Sequence, residues 1–149
     1  PLQLAIMTAR LVNGGFSVRP WLAQPKELLG EQGPDKAEQY QKVKISSSTL
    51  SVIRKSMFEV VNKSRGTAYK ARIKEVPYMM GGKTGTIQVR RISTAEREEG
   101  VIKNEDRPWE HRDHALFVGY APVENPRYAV AVVVEHGGSG ASIASSSHM

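Results

Sequence analysis

The residues best suited to chemistry lie together in one stretch of the chain, Met79–Val89. Its last residues, Ile87 and Val89, are β-branched and alternate with a polar residue, which favours a strand. Glycine inside a strand packs no side chain, so it usually marks a close approach by a ligand or another backbone. The stretch combines an ammonium group, two hydroxyls and three glycines: Lys83, Thr84, Thr86, Gly81, Gly82 and Gly85. Such a strand edge suits a substrate that carries a carboxylate and a reacting carbonyl group.

Two known motifs contain the string Gly-Lys-Thr that stands at 82–84. The phosphate-binding loop G-x-x-x-x-G-K-[ST] requires a glycine where this chain has Pro77, and a helix directly after the threonine. Because Thr86–Val89 reads as extended, we exclude the nucleotide-binding interpretation. The other motif is the Lys-Thr-Gly of the serine acyltransferases that react with penicillin. A string this short is weak evidence alone, so the surrounding sequence must decide.

The composition is that of an ordinary globular protein of one domain. The 149 residues are 40% hydrophobic and 24% charged, and the absence of cysteine excludes disulfides and thiol chemistry. The longest apolar run, Ala129–Val134, is far too short to span a membrane. The net charge of +6 is scattered, apart from a denser basic region at 54–74, which favours a solvated face over nucleic-acid binding. The start at Pro1 shows neither an initiator methionine nor a signal peptide, so we expect an internal fragment.

Two helices are predicted before the glycine-rich stretch. Pro1–Asn13 has apolar residues at helical spacing and ends at a glycine pair. Phe16–Ala23 reads as extended, and the polar segment Pro25–Lys42 reads as a surface loop. The cluster Ser46–Thr49 predicts a helix N-cap, and an apolar stripe follows it and ends near Gly66. The members of that stripe are Leu50, Ile53, Met57, Val60 and Val61.

Three strands are predicted in the second half of the chain. The first contains Lys83, and a charged, exposed excursion from Val89 to His111 follows it. Asp113–Ala121 and Tyr128–Glu135 read as a hairpin joined by a proline-rich turn, and the second of them is so apolar that we expect burial on both faces. The order of helix, loop, helix and three strands predicts an α+β fold, in which an antiparallel sheet has helices packed on it.

These residues resemble the transpeptidase domain of class B penicillin-binding proteins, most closely the penicillin-binding protein 2 group that serves cell elongation. The similar segments come in the family's order along 1–144: Pro1–Ala5, Val61–Ala68, Gly82–Val89, Arg112–Pro122 with Asn125–Val132, and Glu135–Gly140. The resemblance implies the C-terminal part of a penicillin-binding, serine β-lactamase-like fold.

The departures from the family pattern are as informative as the matches. The family carries three active-site motifs, S-x-x-K, S-x-N and K-[ST]-G, and only the third is present here. The family's N-terminal membrane anchor is absent as well. The last residues, Ser145–Met149, depart from the family and read as a tail left by cloning. We therefore expect this chain alone to be inactive.

The chemistry implied by the resemblance is serine acyl transfer, in which stem peptides of peptidoglycan are cross-linked and a β-lactam mimics the donor. The resemblance assigns substrate binding to Lys83, Thr84, Gly85 and Thr86, and catalytic roles to Lys83 and Thr86. Lys83 would lie near the substrate carboxylate, and both threonine hydroxyls would donate to it. The N–H of Thr86 would point at the developing oxyanion, and Gly85 would let the acyl chain lie close to the strand.

The resemblance also implies the setting of the whole protein. It would lie at the periplasmic face of the inner membrane, held by the anchor that this chain lacks, beside a membrane glycosyltransferase. No cofactor, metal or nucleic acid is expected. Two alternatives remain open at this point: a non-catalytic β-lactam-binding sensor domain and, in a different class, a basic scaffold module.

Other residues give weaker indications. His111 and His114 are three positions apart but lie on a loop and a strand, so solvent exposure is favoured over a metal site. His136 follows the apolar strand and could line the edge of the site. Asp113 is expected to support the strand end or to pair with Arg112. Trp109 could equally anchor its loop or contact a partner, and Ser139 is expected to lie in a flexible turn.

Overall fold

The computed structural model describes residues 1–20 and 41–141 of the chain. Short 3-10 turns lie between its main elements, which are α1 (Leu2–Val12), α2 (Ser47–Asn62), β1 (Gly81–Ile87), α3 (Thr94–Glu99), β2 (His114–Ala121) and β3 (Tyr128–Val134). The predicted α+β arrangement is confirmed. Most of the predicted loop at 25–42, the end of the predicted extended segment at 21–23 and the predicted tail at 145–149 lie outside the described residues. None of the described helices has the length and apolarity that crossing a membrane requires.

Helix α1 ends where the sequence predicts, because Asn13 caps it. The Asn13 side-chain oxygen accepts hydrogen bonds from the backbone N–H groups of Gly15 and Phe16, at 3.1 and 2.9 Å. Gly14 and Gly15 both have φ near +90°, a conformation that costs glycine nothing. Phe16 then forms a single antiparallel bridge with Lys42.

Helix α2 begins at its predicted cap and ends earlier than predicted. The Ser46 hydroxyl accepts a hydrogen bond from the backbone N–H of Thr49 at 3.1 Å. The helix stops at Asn62, and the chain folds back so that the N–H of Ala68 donates to the carbonyl of Val60 at 3.1 Å. A Cβ atom added to Gly66 would lie 2.1 Å from the carbonyl oxygen of Val60, so only glycine allows this turn.

The three strands form one antiparallel sheet in the order β1-β2-β3, as predicted. Lys83 lies opposite Val118 of β2, and Val118 lies opposite Ala131 of β3. Strand β1 is shorter than the predicted 79–89. Before it, the carbonyl of Met79 accepts from the N–H of Val123, and the carbonyl of Met80 accepts from the side chain of Asn62.

The core lies on one face of this sheet, beneath α1 and α2. Its centre is formed by Val12, Met57, Val118 and Tyr120. Tyr120 is 2% exposed and donates its hydroxyl to the carbonyl of Arg54, and this burial raises the pKa of Tyr120. Helix α1 packs against β2 and β3, and α2 packs against β1.

The opposite face of β3 is exposed, so the prediction that β3 is buried on both faces is wrong for this chain. Every second residue of the strand points away from the helices, and its side chain is between 37% and 67% exposed: Tyr128, Val130, Val132 and Val134. The apolar sequence of β3 predicts cover on both faces, but α1 supplies cover on only one of them. Within the part of the chain that the structure describes, an apolar strip therefore stays uncovered.

The excursion after β1 is mostly exposed, as predicted, and it folds around the carboxylate of Asp113. This carboxylate accepts hydrogen bonds from the N–H of Val89 and from the side chains of Asn104 and Arg107, at 3.3, 3.1 and 3.4 Å. The ion pair is buried and is formed with Arg107, so of the two expected roles of Asp113 the structure shows support of the strand end and not pairing with Arg112. The carbonyl of Asp113 accepts from the N–H of Gly138. Asp113 thus connects the end of β1, the excursion and the loop after β3.

Asp113→Ala should destabilise the full-length protein by about 3 to 5 kcal/mol, because it leaves the buried Arg107 cation without its partner. Chemical denaturation monitored by circular dichroism measures this. The matched control is Glu105→Ala, which removes a carboxylate that is 75% exposed and lies 3.8 Å from Lys103; it should cost less than about 1 kcal/mol. Equal effects of the two substitutions would contradict the central role of Asp113.

Candidate functional site

The outer edge of β1 is the site candidate, because no other strand of residues 1–20 and 41–141 pairs with it. In an antiparallel strand the N–H and C=O of one residue point to the same side, and the side alternates along the chain. The Met80 carbonyl accepts from Asn62, and the Thr84 carbonyl accepts from the Lys83 ammonium group. In both contacts the carbonyl belongs to an even-numbered residue and bonds to a group outside the sheet. The even-numbered residues therefore direct their N–H and C=O groups outward. The N–H of Thr86 therefore points outward from this edge of the sheet.

Lys83 is exposed and lies at the mouth of a groove between α2 and β1. Its Nζ atom donates to the Thr84 carbonyl at 2.6 Å. The groove has a volume of about 680 Å³ and is lined by Ser56, Glu59, Val60, Lys63, Ser64, Arg65, Gly66, Thr67 and Lys83. Three of these side chains are cationic and one is anionic, so the groove favours a negatively charged group.

Thr84 differs from Lys83 in being buried, with 8% of its surface exposed. Its Oγ1 atom lies 2.7 Å from the Oγ1 atom of Thr67, in the turn that follows α2. The sequence places Thr67 in the segment Val61–Ala68 of the family resemblance and predicts no role for its side chain. A hydroxyl offers one hydrogen and accepts two, so Thr84 keeps capacity for a further partner.

Thr86 is exposed and contacts the loop that follows β3. Its hydroxyl accepts from the backbone N–H of Gly140 at 3.4 Å. A Cβ atom on Gly140 would lie 2.5 Å from the Gly85 carbonyl oxygen, so the loop lies directly against the strand backbone. The structure thus brings Lys83, Thr84, Gly85 and Thr86 together on one strand, as the sequence predicts, and adds Thr67 and Gly140 as neighbours.

Packing against β2 explains why two residues of β1 are glycines, and the sequence did not indicate this. A Cβ atom on Gly81 would lie 2.6 Å from the ring of Tyr120, and one on Gly82 would lie 2.3 Å from the ring of Phe117. Both rings belong to β2, so these glycines accommodate aromatic side chains of the neighbouring strand. At Gly85 a Cβ atom would lie 3.2 Å from the flexible side chain of Leu116, a much milder contact.

His114 and His136 form a structural cluster beside the sheet, and His111 is exposed. The backbone N–H of His136 donates to Nδ1 of His114 at 2.9 Å, and Nδ1 of His136 lies 3.0 Å from the carbonyl oxygen of Arg112. The Trp109 ring packs against His136 with ring centres 4.5 Å apart, so Trp109 anchors its loop. Within the described ranges, no three His, Asp or Glu side chains are grouped so that they could hold a metal ion.

Gly82→Ala should destabilise the full-length protein by about 1 to 3 kcal/mol, because the added methyl group overlaps the Phe117 ring. Gly85→Ala is the matched control, since it adds the same group to the same strand against a side chain that can move. Denaturation midpoints measure both substitutions. A stability loss at Gly82→Ala no larger than that at Gly85→Ala would contradict the packing explanation.

The chain is similar in sequence to a known family of proteins. The sequence matches the family model of the penicillin binding protein transpeptidase domain over residues 1–148. It is 32% identical to the peptidoglycan D,D-transpeptidase MrdA of Acinetobacter baumannii, in a match that covers 97% of this chain and 21% of that protein. The MrdA of Escherichia coli K12 is 31% identical and is covered to 22%. The chain thus spans about a fifth of the length of these relatives.

A solved structure gives the same assignment. Penicillin-binding protein 2 of Pseudomonas aeruginosa, solved in complex with WCK 5153, is 36% identical and has a TM-score of 0.67. The match covers 97% of this chain and 27% of that chain. The match to the family model, over residues 1–148, includes the strand that carries Lys83. The chain belongs to the penicillin-binding protein transpeptidase domain family.

Proposed function

We propose that the protein to which this chain belongs is a serine-type peptidoglycan D,D-transpeptidase of cell elongation. The chain would contribute one wall of its active site. The observation that carries the proposal is the outer edge of β1, where Lys83 is exposed and lines a groove of positive charge and Thr86 is exposed further along the same strand. The nucleophile would come from outside this chain, since no serine here is followed by lysine three positions later.

The groove suits the terminal carboxylate of a stem peptide or of a β-lactam. Lys83 is close to the strand edge and brings a full positive charge, and Lys63 and Arg65 add to the positive potential of the same groove. The Nζ atom of Lys83 donates to the backbone carbonyl oxygen of Thr84 at 2.6 Å, and a carboxylate is a stronger acceptor than a carbonyl oxygen. Binding would therefore exchange a neutral acceptor for an anionic one.

The backbone of Thr86 suits the reacting carbonyl group. An N–H directed outward from a strand edge is held by the sheet, so it needs no reorganisation when negative charge develops on the substrate oxygen. One such donor contributes about 3 kcal/mol to transition-state stabilisation in comparable sites. The contact from Gly140 to the Thr86 hydroxyl would hold this residue in place from the other side.

The proposed reaction needs groups from both halves of the active site. A serine hydroxyl attacks the carbonyl carbon of the penultimate D-Ala, the terminal D-Ala leaves with a proton, and an amine of a neighbouring stem peptide then takes the acyl group. A β-lactam would stop at the acyl-enzyme. The whole protein would work at the periplasmic face of the inner membrane, held by an N-terminal anchor, beside a glycosyltransferase that polymerises the glycan strands.

Lys83→Ala in the full-length protein should slow acylation by a fluorescent penicillin by about a hundredfold or more, because the cation that meets the carboxylate is lost. The fold should persist, since Lys83 is exposed. The control is Lys103→Ala, which removes a lysine that is 76% exposed and lies in the excursion. Time-resolved gel fluorescence gives both rates. Acylation of Lys83→Ala at the wild-type rate would show that Lys83 has no role in acylation.

The same preparation distinguishes an enzyme from a β-lactam sensor. A transpeptidase should cross-link stem peptides supplied as nascent glycan strands, and penicillin should block the reaction. A sensor domain would be acylated but would form no cross-links. Mass spectrometry of digested glycan measures the cross-linked dimers, and acylation without any dimer would favour the sensor.

The isolated chain should form no covalent adduct with penicillin. Loss of the nucleophile alone costs about a millionfold in a comparable serine enzyme, and the base that would activate it is missing with it. The uncovered face of β3 should also prevent a cooperative thermal transition. Intact mass after incubation with penicillin, and a melt followed by circular dichroism, test the two statements. A stoichiometric gain in mass would reveal a nucleophile within this chain.

A further inference from the structure

The contact between Thr67 and Thr84 links the turn after α2 to the centre of the candidate site. The two hydroxyl oxygens lie 2.7 Å apart, which is a good distance for an O–H···O hydrogen bond. Thr84 is 8% exposed, whereas Thr67 is exposed and lines the groove beside Lys83. The buried hydroxyl therefore has its side-chain partner in a residue that reaches the groove.

The turn that carries Thr67 is held firmly against α2. The N–H of Gly66 donates to the carbonyl of Lys63 at 2.8 Å, and the N–H of Ala68 donates to the carbonyl of Val60 at 3.1 Å. Ala68 is completely buried. The residues on both sides of Thr67 are thus fixed by backbone hydrogen bonds, and this fixes the position from which its hydroxyl reaches Thr84.

The direction of this hydrogen bond matters because each hydroxyl has only one hydrogen to donate. If Thr84 donates to Thr67, it has no hydrogen left for an anion. If Thr67 donates to Thr84, the hydrogen of Thr84 is free for a further acceptor. A carboxylate can only accept, so an anion beside the Thr84 hydroxyl would favour the second arrangement.

We propose that Thr67 is a positioning residue, which donates its hydroxyl hydrogen to Thr84 and thereby turns the hydrogen of Thr84 toward the substrate carboxylate. This inference rests on the proposed function, because it assumes a carboxylate ligand beside Lys83. Thr67 acts through Thr84 and needs no contact with the reacting atoms. It deepens the proposed site by extending carboxylate recognition from β1 to the turn after α2.

The test uses the full-length protein and two probes that differ only in the carboxylate, benzylpenicillin and its methyl ester. Thr67→Val keeps the shape of the side chain and removes the hydroxyl, and Thr67→Ser keeps the hydroxyl. Relative to the wild type, Thr67→Val should slow acylation by benzylpenicillin by about tenfold, since a hydrogen bond to a charged group is lost or misdirected. The same variant should react with the ester at close to the wild-type rate, and Thr67→Ser should resemble the wild type with both probes.

A double substitution checks that Thr67 acts through Thr84. In a Thr84→Val background, adding Thr67→Val should produce no further slowing with benzylpenicillin. Thr67→Ala repeats the measurement in case the valine variant is poorly folded, and thermal melts identify such a case. Because Thr67 is exposed, both variants should melt near the wild type.

Three results would overturn the inference. Equal slowing with the acid and the ester would mean that Thr67 only supports the turn. No slowing with either probe would mean that Thr84 needs no orienting partner. Additive effects of the two valine substitutions would mean that the residues act separately. Failure of the wild-type protein to react with benzylpenicillin is a different outcome, which would refute the proposed function itself and this inference with it.

Discussion

The contact between the glycines of β1 and the aromatic rings of β2 is the constraint on which the rest of the structure depends. The ring of Tyr120 occupies the space beside Gly81, and the ring of Phe117 occupies the space beside Gly82. Tyr120 is also central to the core under the two helices. A side chain at either glycine would displace the strand or the ring, because packed interiors do not absorb extra atoms cheaply. The position of β1, and hence of Lys83, is set by β2.

The two ends of β1 are held by different means. At its beginning, Asn62 at the end of α2 donates both to the Phe58 carbonyl of its own helix and to the Met80 carbonyl. Beyond its far end, the Asp113 carboxylate accepts a hydrogen bond from the N–H of Val89 and forms an ion pair with the buried Arg107. The edge between these two points carries the residues of the candidate site. A rigid strand with fixed ends is what a preorganised hydrogen-bond donor requires.

The uncovered face of β3 explains why this chain should depend on more protein than it contains. The residues on this face are apolar and well exposed, while the alternate residues of the strand pack toward α1. Exposed apolar strips of this kind usually belong to an interface. The chain spans only about a fifth of the length of its relatives.

The sequence determined the local structure because local patterns are sufficient for it. Apolar spacing predicted α1 and α2, the cluster Ser46–Thr49 predicted the start of α2, and the proline-rich turn predicted the pairing of β2 with β3. The order of segments around Lys83 also identified the family, which the match over residues 1–148 confirms. The roles of the four strand residues remain predictions that the sequence made and the fold accommodates.

Only the tertiary structure decided the features that depend on residues far apart in the chain. It paired Asp113 with Arg107 rather than with the adjacent Arg112, because the excursion folds back over the strand end. It showed that one face of β3 is exposed, because an apolar sequence indicates that a strand is suited to burial but does not show whether another element covers it. It also placed Thr67 against Thr84, a contact between residues 17 positions apart, because the turn after α2 brings the two hydroxyls together. Sequence spacing alone gives no signal for a hydrogen bond between a turn and a strand.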